Sequence, residues 1–352
     1  AFGFHGFPSP TINLYSIGGT VRYDLDLFGG RRRAAEAASA RAEAEARRAD
    51  AAYLTLTGNI AQQALQIAGL RAQLDSLDAV IADDRRTLEM VRKAQAAGGE
   101  SPSAISGGEG QLARDEALRP PIERSLALAR HQLALLVGRS PSEWTPPDFT
   151  LSEFASPDSL PVSLPSALAR QRPDILAAEA ELHAATAQVG VTTADLYPDI
   201  RLSANLTQSS IEPGTLFRYG STGWNLGAGL TAPLFHGHAL TARRKAAEAQ
   251  AQASLARYQA VVLRAFVQVS DALAALAEDD KAIAALKRSE ASQQSNLNDA
   301  RTAYRLGGGP LIQVIDGQRQ LNRARRDTIS AETRRLADLV DLSTATAARW
   351  RP

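Results

Sequence analysis

The sequence has no cysteine among its 352 residues. That removes disulfides, thiolate metal sites and cysteine nucleophiles, and it leaves the redox compartment open. Aromatic residues are scarce, 5% of the chain against 44% apolar in total. A bulky globular core is hard to build from that mixture, and long helices are favoured instead. Charge of one sign is not in excess: the formal net charge is +1, so nothing in the balance points to nucleic acid. No uninterrupted apolar run reaches about 18 residues, so no transmembrane helix is expected. A membrane β-barrel leaves a much weaker signal per segment and passes this test. The opening AFGFHGFPSP has neither the charged region nor the apolar stretch of a secretory signal.

Proline and glycine are also absent over long distances. From 31 to 97 there is no proline, and glycine occurs only at Gly58 and Gly69. The composition there is Ala, Arg, Glu, Gln and Leu, all good helix formers. A helix of that length is a rod of about 100 Å, which needs neighbours along its whole length. GGESPSAISGGEG (98–110) breaks it, and a second helical stretch follows over about 111–138, interrupted at RPP (119–121). Residues 139–166 are rich in Pro and Ser and read as a linker or ordered side structure. A second long helix is expected from about Ala239 to Leu306, with GGGP (307–310) and a returning helix to about Arg349 after it.

Three segments alternate with a period of two, the signature of strands with one oily and one wet face. The first places Val21, Tyr23, Leu25 and Leu27 against Arg22, Asp24 and Asp26, and INLYSIGG upstream can extend it. The second places Ile200, Leu202, Ala204 and Leu206 against Arg201, Ser203, Asn205 and Thr207. The third, from Trp224 to Ala232, is expected to pair with the second. Before the second strand, Arg172-Pro173-Asp174 opens a short helix: proline suits its first turn and Asp174 its positive end. Tyr197-Pro198 closes that helix, because the residue before proline is pushed out of the helical region.

The two halves repeat. DLFGG before the first long helix answers PLFHGH before the second, and Gly98-Gly99 answers Gly307-Gly308. Gly108, Gln111, Leu112 and Arg114 recur as Gly317, Gln320, Leu321 and Arg323, each 209 positions later. By this symmetry a further helix and strand are expected to precede residue 1, and a chain without them is expected to insert poorly. Three strands of about ten residues match the hydrocarbon layer of a bilayer when tilted, but they cannot close a barrel. Several chains contributing strands to one barrel would satisfy their edges. A soluble coiled-coil protein with a small antiparallel sheet is the alternative reading.

LPSALARQRPDILAAEAELHAATAQVGVTTADLYPDIRLSANL (164–206), YDLDLFG (23–29), LALARHQLALLVGRSP (126–141) and AYRLGGG with VIDGQRQL (303–321) resemble the TolC-like outer-membrane factor family. The resemblance is closest to its nodulation-type and multidrug lipoprotein branch, in which any acylated cysteine would lie upstream of this sequence. It implies a mainly helical fold with membrane β structure. Long α-helical hairpins would form a trimeric tunnel through the periplasm, continuing a shared 12-stranded outer-membrane barrel, with an equatorial collar near 139–166. The implied organisation is a barrel strand in 1–28, a helical hairpin in 29–138 and a linker in 139–172. A helix in 173–196, two barrel strands in 197–235 and a second hairpin in 236–352 complete it.

The resemblance also implies a function: a passive, gated exit duct of an RND-type tripartite efflux system in a Gram-negative outer membrane. Its partners would be two further copies of itself, a periplasmic adaptor, an inner-membrane pump and outer-membrane lipid. The alternatives are a type I secretion duct and a non-channel periplasmic scaffold. Gly98, Gly99, Gly307, Gly308 and Gly309 would form tips that dock the adaptor. Tyr304 and Asp316 match gate positions of the family, with Asp316 as an acidic ring. Gln313 stands where some members carry an acid, and Gly309 where some carry a base. The bland reading makes Tyr304 a packing residue and Asp316 a helix N-terminal carboxylate.

No enzyme is visible. His236 and His238 are the only close histidine pair and lack a carboxylate companion, so a turn is expected rather than a metal site. GGGP lacks the spacing and lysine of a phosphate loop. The pairs Asp83-Asp84 and Asp279-Asp280 read as solvated helix faces or subunit contacts. Arg31, Arg32 and Arg33 oppose the helix dipole but suit lipid headgroups. No cofactor is implied.

Overall fold

The computed structural model describes residues 13–154 and 171–347. In chain order the elements are β1 (Tyr15–Leu25), α1 (Gly30–Ala96), α2 (Pro102–Glu116) and α3 (Arg119–Leu136). They continue with α4 (Pro173–Ala194), β2 (Asp199–Ser210), β3 (Thr222–Thr231), α5 (Ala239–Arg305) and α6 (Leu311–Ala345). Contacts divide the chain into two compact units, one of 1–46 with 177–259 and the other of 47–176 with 260–352.

The first unit holds the sheet and the helix ends next to it in sequence. Its three strands lie in the order β1-β2-β3, antiparallel throughout. β1 takes in the upstream YSIGG but stops at Leu25, so Leu27 falls in the turn rather than on the strand. That turn is built for the helix after it. The Asp26 carboxylate accepts the backbone N–H groups of Arg31 at 3.0 Å and Arg32 at 2.9 Å, satisfying donors that open every helix. The three arginines are therefore compensated locally: Arg31 pairs with Asp24, Arg32 with Asp26 and Arg33 with Glu36. Phe28 stacks on Tyr197, with ring centroids 4.6 Å apart. Gly30 and Gly190 bring α1 and α4 close, since a Cβ on Gly190 would lie 2.9 Å from the Arg33 side chain.

The second unit is helical. Val269, Ala272 and Leu276 of α5 pack with Leu339, Leu342 and Ala345 of α6. Val91 of α1 joins Leu297, Leu311, Val314 and Leu321 near the reversals. Ile67 packs on Leu126, Ala129 and Leu133, with Trp144 and Phe149 of the linker against them. Asp148 fastens the linker further by pairing with Arg71 and with Arg130. Linker residues 155–170, which include 164–170 of the 164–206 family stretch, and Arg349 lie outside the described residues.

The duplication is geometric as well as sequential. Helices α1 and α5 have 67 residues each and begin and end 209 positions apart. Left-handed residues recur at the same offset: Gly29 and His238, Gly98 and Gly307, Gly138 and Ala347. Each reversal uses the same bonds. Gly99 N–H donates to Ala94 O at 2.9 Å and Gly308 N–H to Ala303 O at 2.9 Å, the glycine-capped helix end that frees the chain to turn.

Three expectations need correction. The break after α1 does not extend to 110. Pro102 restarts a helix at its first position, and Gly107, Gly108 and Gly110 lie inside α2, where Gly108 faces Leu88 at short range. At RPP the interruption falls earlier, at Ala117-Leu118, because Pro120 and Pro121 occupy the first turn of α3, where no N–H is needed. Finally, α5 does contain an 18-residue window apolar enough to cross a membrane, of mean hydropathy 1.6, though only 22% of it is buried. Val261, Val262, Phe266 and Val269 raise the average there, together with the exposed Leu263 and Val267.

Candidate channel wall and tip

The strand register sorts the sheet into two faces. One row crosses it as Val21, Ala204 and Leu226, another as Tyr23, Leu202 and Ala228. Partners directly opposite share a face, so these rows form one apolar surface together with Leu206 and Trp224 and with Leu25, Ile200 and Leu230. The rows between them are polar: Thr20, Asn205 and Asn225, then Arg22, Ser203 and Gly227, then Asp24, Arg201 and Gly229. Arg201 pairs with Asp24 at 3.0 Å on that wet face. The oily face is open, with Trp224 75% and Leu226 71% exposed. Among the described residues, β1 and β3 each have one strand neighbour. In water such a face and such edges invite aggregation; in a bilayer the face has its solvent and the edges need further strands.

At the reversals, Gly98, Gly99, Gly307 and Gly308 are exposed and Gly309 is partly covered. Tyr304 packs against the cluster of Val91, Leu297 and Leu311. Its hydroxyl oxygen is covered and makes no hydrogen bond. Burial, and then Glu100 beside it, push the phenol up to about 12, so it is neutral across the physiological range. Asp316 lies in the second turn of α6, with its side chain 53% exposed, and is 3.5 Å from Arg319. The helix N-terminal reading of Asp316 therefore fails, since that effect is confined to the first turn. Gln313 is exposed one turn before it.

The structure adds Arg301 and Glu100, which the sequence did not single out, and gives Asp83 a partner. Arg301 of α5 reaches Asp83 of α1 at 3.1 Å and Gln318 of α6 at 2.8 Å. The Asp83 carboxyl is held below its usual range: burial alone would raise it, and Arg86 and Arg301 outweigh that. Asp83, Glu100, Arg301 and Tyr304 thus join the two hairpins above the reversals. The acid pairs are not solvated as pairs. Asp84 and Asp279 are each 7% exposed, while Asp83 and Asp280 find arginines. No sequence signal separates the buried member from its neighbour.

The Arg-Pro-Asp motif is a buried anchor. The Arg172 guanidinium forks onto Asp174 at 3.0 and 2.7 Å, and donates to Ala345 O and Gln268 Oε1, both at 2.9 Å. Asp174 also accepts the Ile175 N–H at 3.0 Å. Helices α5 and α6 meet on this one cation, with α4 starting from it. His236 and His238 lie in the turn between β3 and α5, and His238 takes a left-handed conformation.

The outer membrane efflux protein family model matches residues 6–139 and 164–348. The chain belongs to this family. Among curated relatives it is 30% identical over 343 residues to a probable outer membrane lipoprotein SilC of Salmonella typhimurium, covering 97% of this chain and 74% of that one. It is 29% identical over 345 residues to the cation efflux system protein CusC of an Escherichia coli O6:H1 strain, with the same coverage. Among solved structures, CusC superposes with a TM-score of 0.89 at 28% identity, covering 98% of this chain and 80% of that one. The Neisseria gonorrhoeae MtrE outer membrane channel, in an open state, gives 0.82 at 27% identity over 96% and 80%. This efflux protein therefore has the tunnel-and-barrel fold of outer-membrane efflux channels, and its place is the outer membrane.

Proposed function

We propose that this outer membrane efflux protein works as a homotrimer, four strands per protomer closing one barrel, as the exit duct of a tripartite efflux system of RND type. The observation that carries the reading is the sheet: three strands with an uncovered apolar face, a polar opposite face and two unpaired edges. A duct of this kind does no chemistry. Solutes handed over by an inner-membrane pump and a periplasmic adaptor pass through a gated tunnel. Exposed Leu263 and Val267 on α5 and Tyr53 on α1 supply apolar surface for neighbouring protomers. Gly98, Gly99, Gly307, Gly308 and Gly309 form the tips that meet the adaptor. Asp316 and Gln313, exposed near one tip, line the narrowest part of the pore, with Tyr304 holding the gate helix in place.

Light scattering of the detergent-solubilised full-length protein, with detergent mass subtracted, tests the assembly: a trimer extractable only with detergent is expected. A monomer that stays in solution without detergent would sink the duct and favour a periplasmic scaffold. In planar bilayers, Asp316→Ala should change cation preference or cation blockade, because three carboxylates around one axis concentrate cations. An unchanged current–voltage and blocker profile would remove Asp316 from the selectivity element.

A further inference from the structure

Two carboxyl–carboxyl contacts are packed inside the helices, one in each hairpin. In the first, Asp84 of α1 faces Asp115 of α2, and the two residues are 7% and 8% exposed. Asp115 Oδ2 accepts from Gln111 Nε2 at 2.9 Å, whereas Asp84 Oδ2 is covered and has no donor. In the second, Asp279 of α5 faces Asp338 of α6, and Asp279 Oδ2 again has no donor. Neither pair descends from the duplication: 209 positions from Asp84 and Asp115 stand Gln293 and Ala324. Two ionised carboxylates offer one another only acceptors. Held in contact away from water, they repel, and the contact becomes favourable when a proton sits between them.

The charges around Asp84 do not supply that proton's substitute. On its own helix Asp83 adds repulsion; Arg301 offsets part of it but is engaged by Asp83, as is Arg86. On α5, Arg301 is shared further with Gln318. On α6, Arg319, Arg323 and Arg326 line a cleft with Asp115 and with Asn322, whose Nδ2 donates to nothing. None of them reaches Asp84 Oδ2.

We propose that Asp84 and Asp115 form a proton-dependent clamp: one shared proton joins α1 to α2, and its loss loosens α2 from the first hairpin. The clamp goes beyond the duct reading and holds whether or not the chain conducts. Burial first, then Asp115, pushes the Asp84 carboxyl up to about 8. The folded state thus keeps a proton that the unfolded chain releases near the usual carboxylate value. The clamp contributes fully below that value, declines as pH rises, and is gone above about pH 8.

Hydrogen exchange on the detergent-solubilised full chain, corrected for the intrinsic pH dependence of exchange, tests this. Protection of the α2 amides should fall roughly tenfold or more between about pH 6 and about pH 9. In Asp84→Asn, where an amide donates to Asp115 at any pH, the fall should disappear. Constant protection in the wild type, or an equal fall in Asp84→Asn, would overturn the clamp. Should that variant fail to fold, infrared spectroscopy needs none: a protonated-carboxyl band present at about pH 7 and lost by about pH 9 is expected. Its absence at about pH 7 would overturn the proposal equally.

Discussion

Arg172 shows how one side chain can set the strength of a family motif. Its four hydrogen bonds reach Asp174, Gln268 on α5 and the last carbonyl of α6, where a cation also meets the negative end of the helix dipole. Removing it in Arg172→Ala leaves Asp174 half-buried without its cation, and a loss of about 1.5–3 kcal/mol is expected in urea unfolding. Arg172→Lys should recover only part of this, because an ammonium cannot fork onto a carboxylate while donating to two other groups. The pH dependence follows from the same contacts. Burial alone would raise the Asp174 carboxyl, but Arg172 and the Ile175 N–H outweigh it and hold it below its usual range. That stabilisation is therefore present above the unfolded carboxylate value and lost as pH falls through the lower folded one. Acid unfolding of Arg172→Ala should accordingly show a shallower dependence on pH than the wild type, and an identical acid limb would remove Asp174 from the account.

At the scale of elements, the long helices approach one another at points that only glycine permits. A Cβ at Gly58 would lie 2.8 Å from Thr344 Oγ1, and one at Gly69 would lie 2.7 Å from Thr333 Oγ1. The two glycines are 11 residues apart on α1 and the two threonines 11 apart on α6, close to three helical turns, so both contacts fall on one seam. Gly58→Ala and Gly69→Ala should each cost about 1–3 kcal/mol through overpacking. Gly107→Ala, where nothing lies within 4 Å, should instead stabilise α2 by about 0.5–1 kcal/mol. Thermal unfolding of the three variants would reveal whether contact or propensity decides. The sequence marked the long helices and the strands well, since both have strong periodic or compositional signals: Val21, Tyr23 and Leu25 alternate with charges because one face is oily. It could not mark which glycine is a contact and which a break. Gly107, Gly108 and Gly110 read as a loop, yet Pro102 starts a helix through them and Gly108 packs on Leu88. Tyr304 and Asp316 were found by likeness to a family, while Glu100, Arg301 and the link that Asp83 makes emerged only when the two hairpins were seen together.

For the whole molecule, the proposed gating would have the two hairpins of a protomer separate at the tips, where Arg301 links one hairpin to the other. Standing on α5 and bonded to Gln318 within its own hairpin, it crosses to Asp83 of the first hairpin, with the guanidinium and the Asp83 carboxylate both largely covered. If opening breaks this link, its removal shifts the balance toward the open state without touching the barrel. A loss of about 1.4 kcal/mol of closed-state preference corresponds to a tenfold change in the open-to-closed ratio. Arg301→Ala should therefore raise the open probability of the assembled channel in planar bilayers by roughly tenfold, and Asp83→Asn should do so less, since the asparagine amide oxygen can still accept from the arginine. Arg119→Ala serves as the comparison: it removes ion pairs to Asp78 and Glu123 that lie within the first hairpin alone and should leave conductance unchanged. Equal conductance in all three variants would mean that the hairpins are latched elsewhere, between protomers rather than within one.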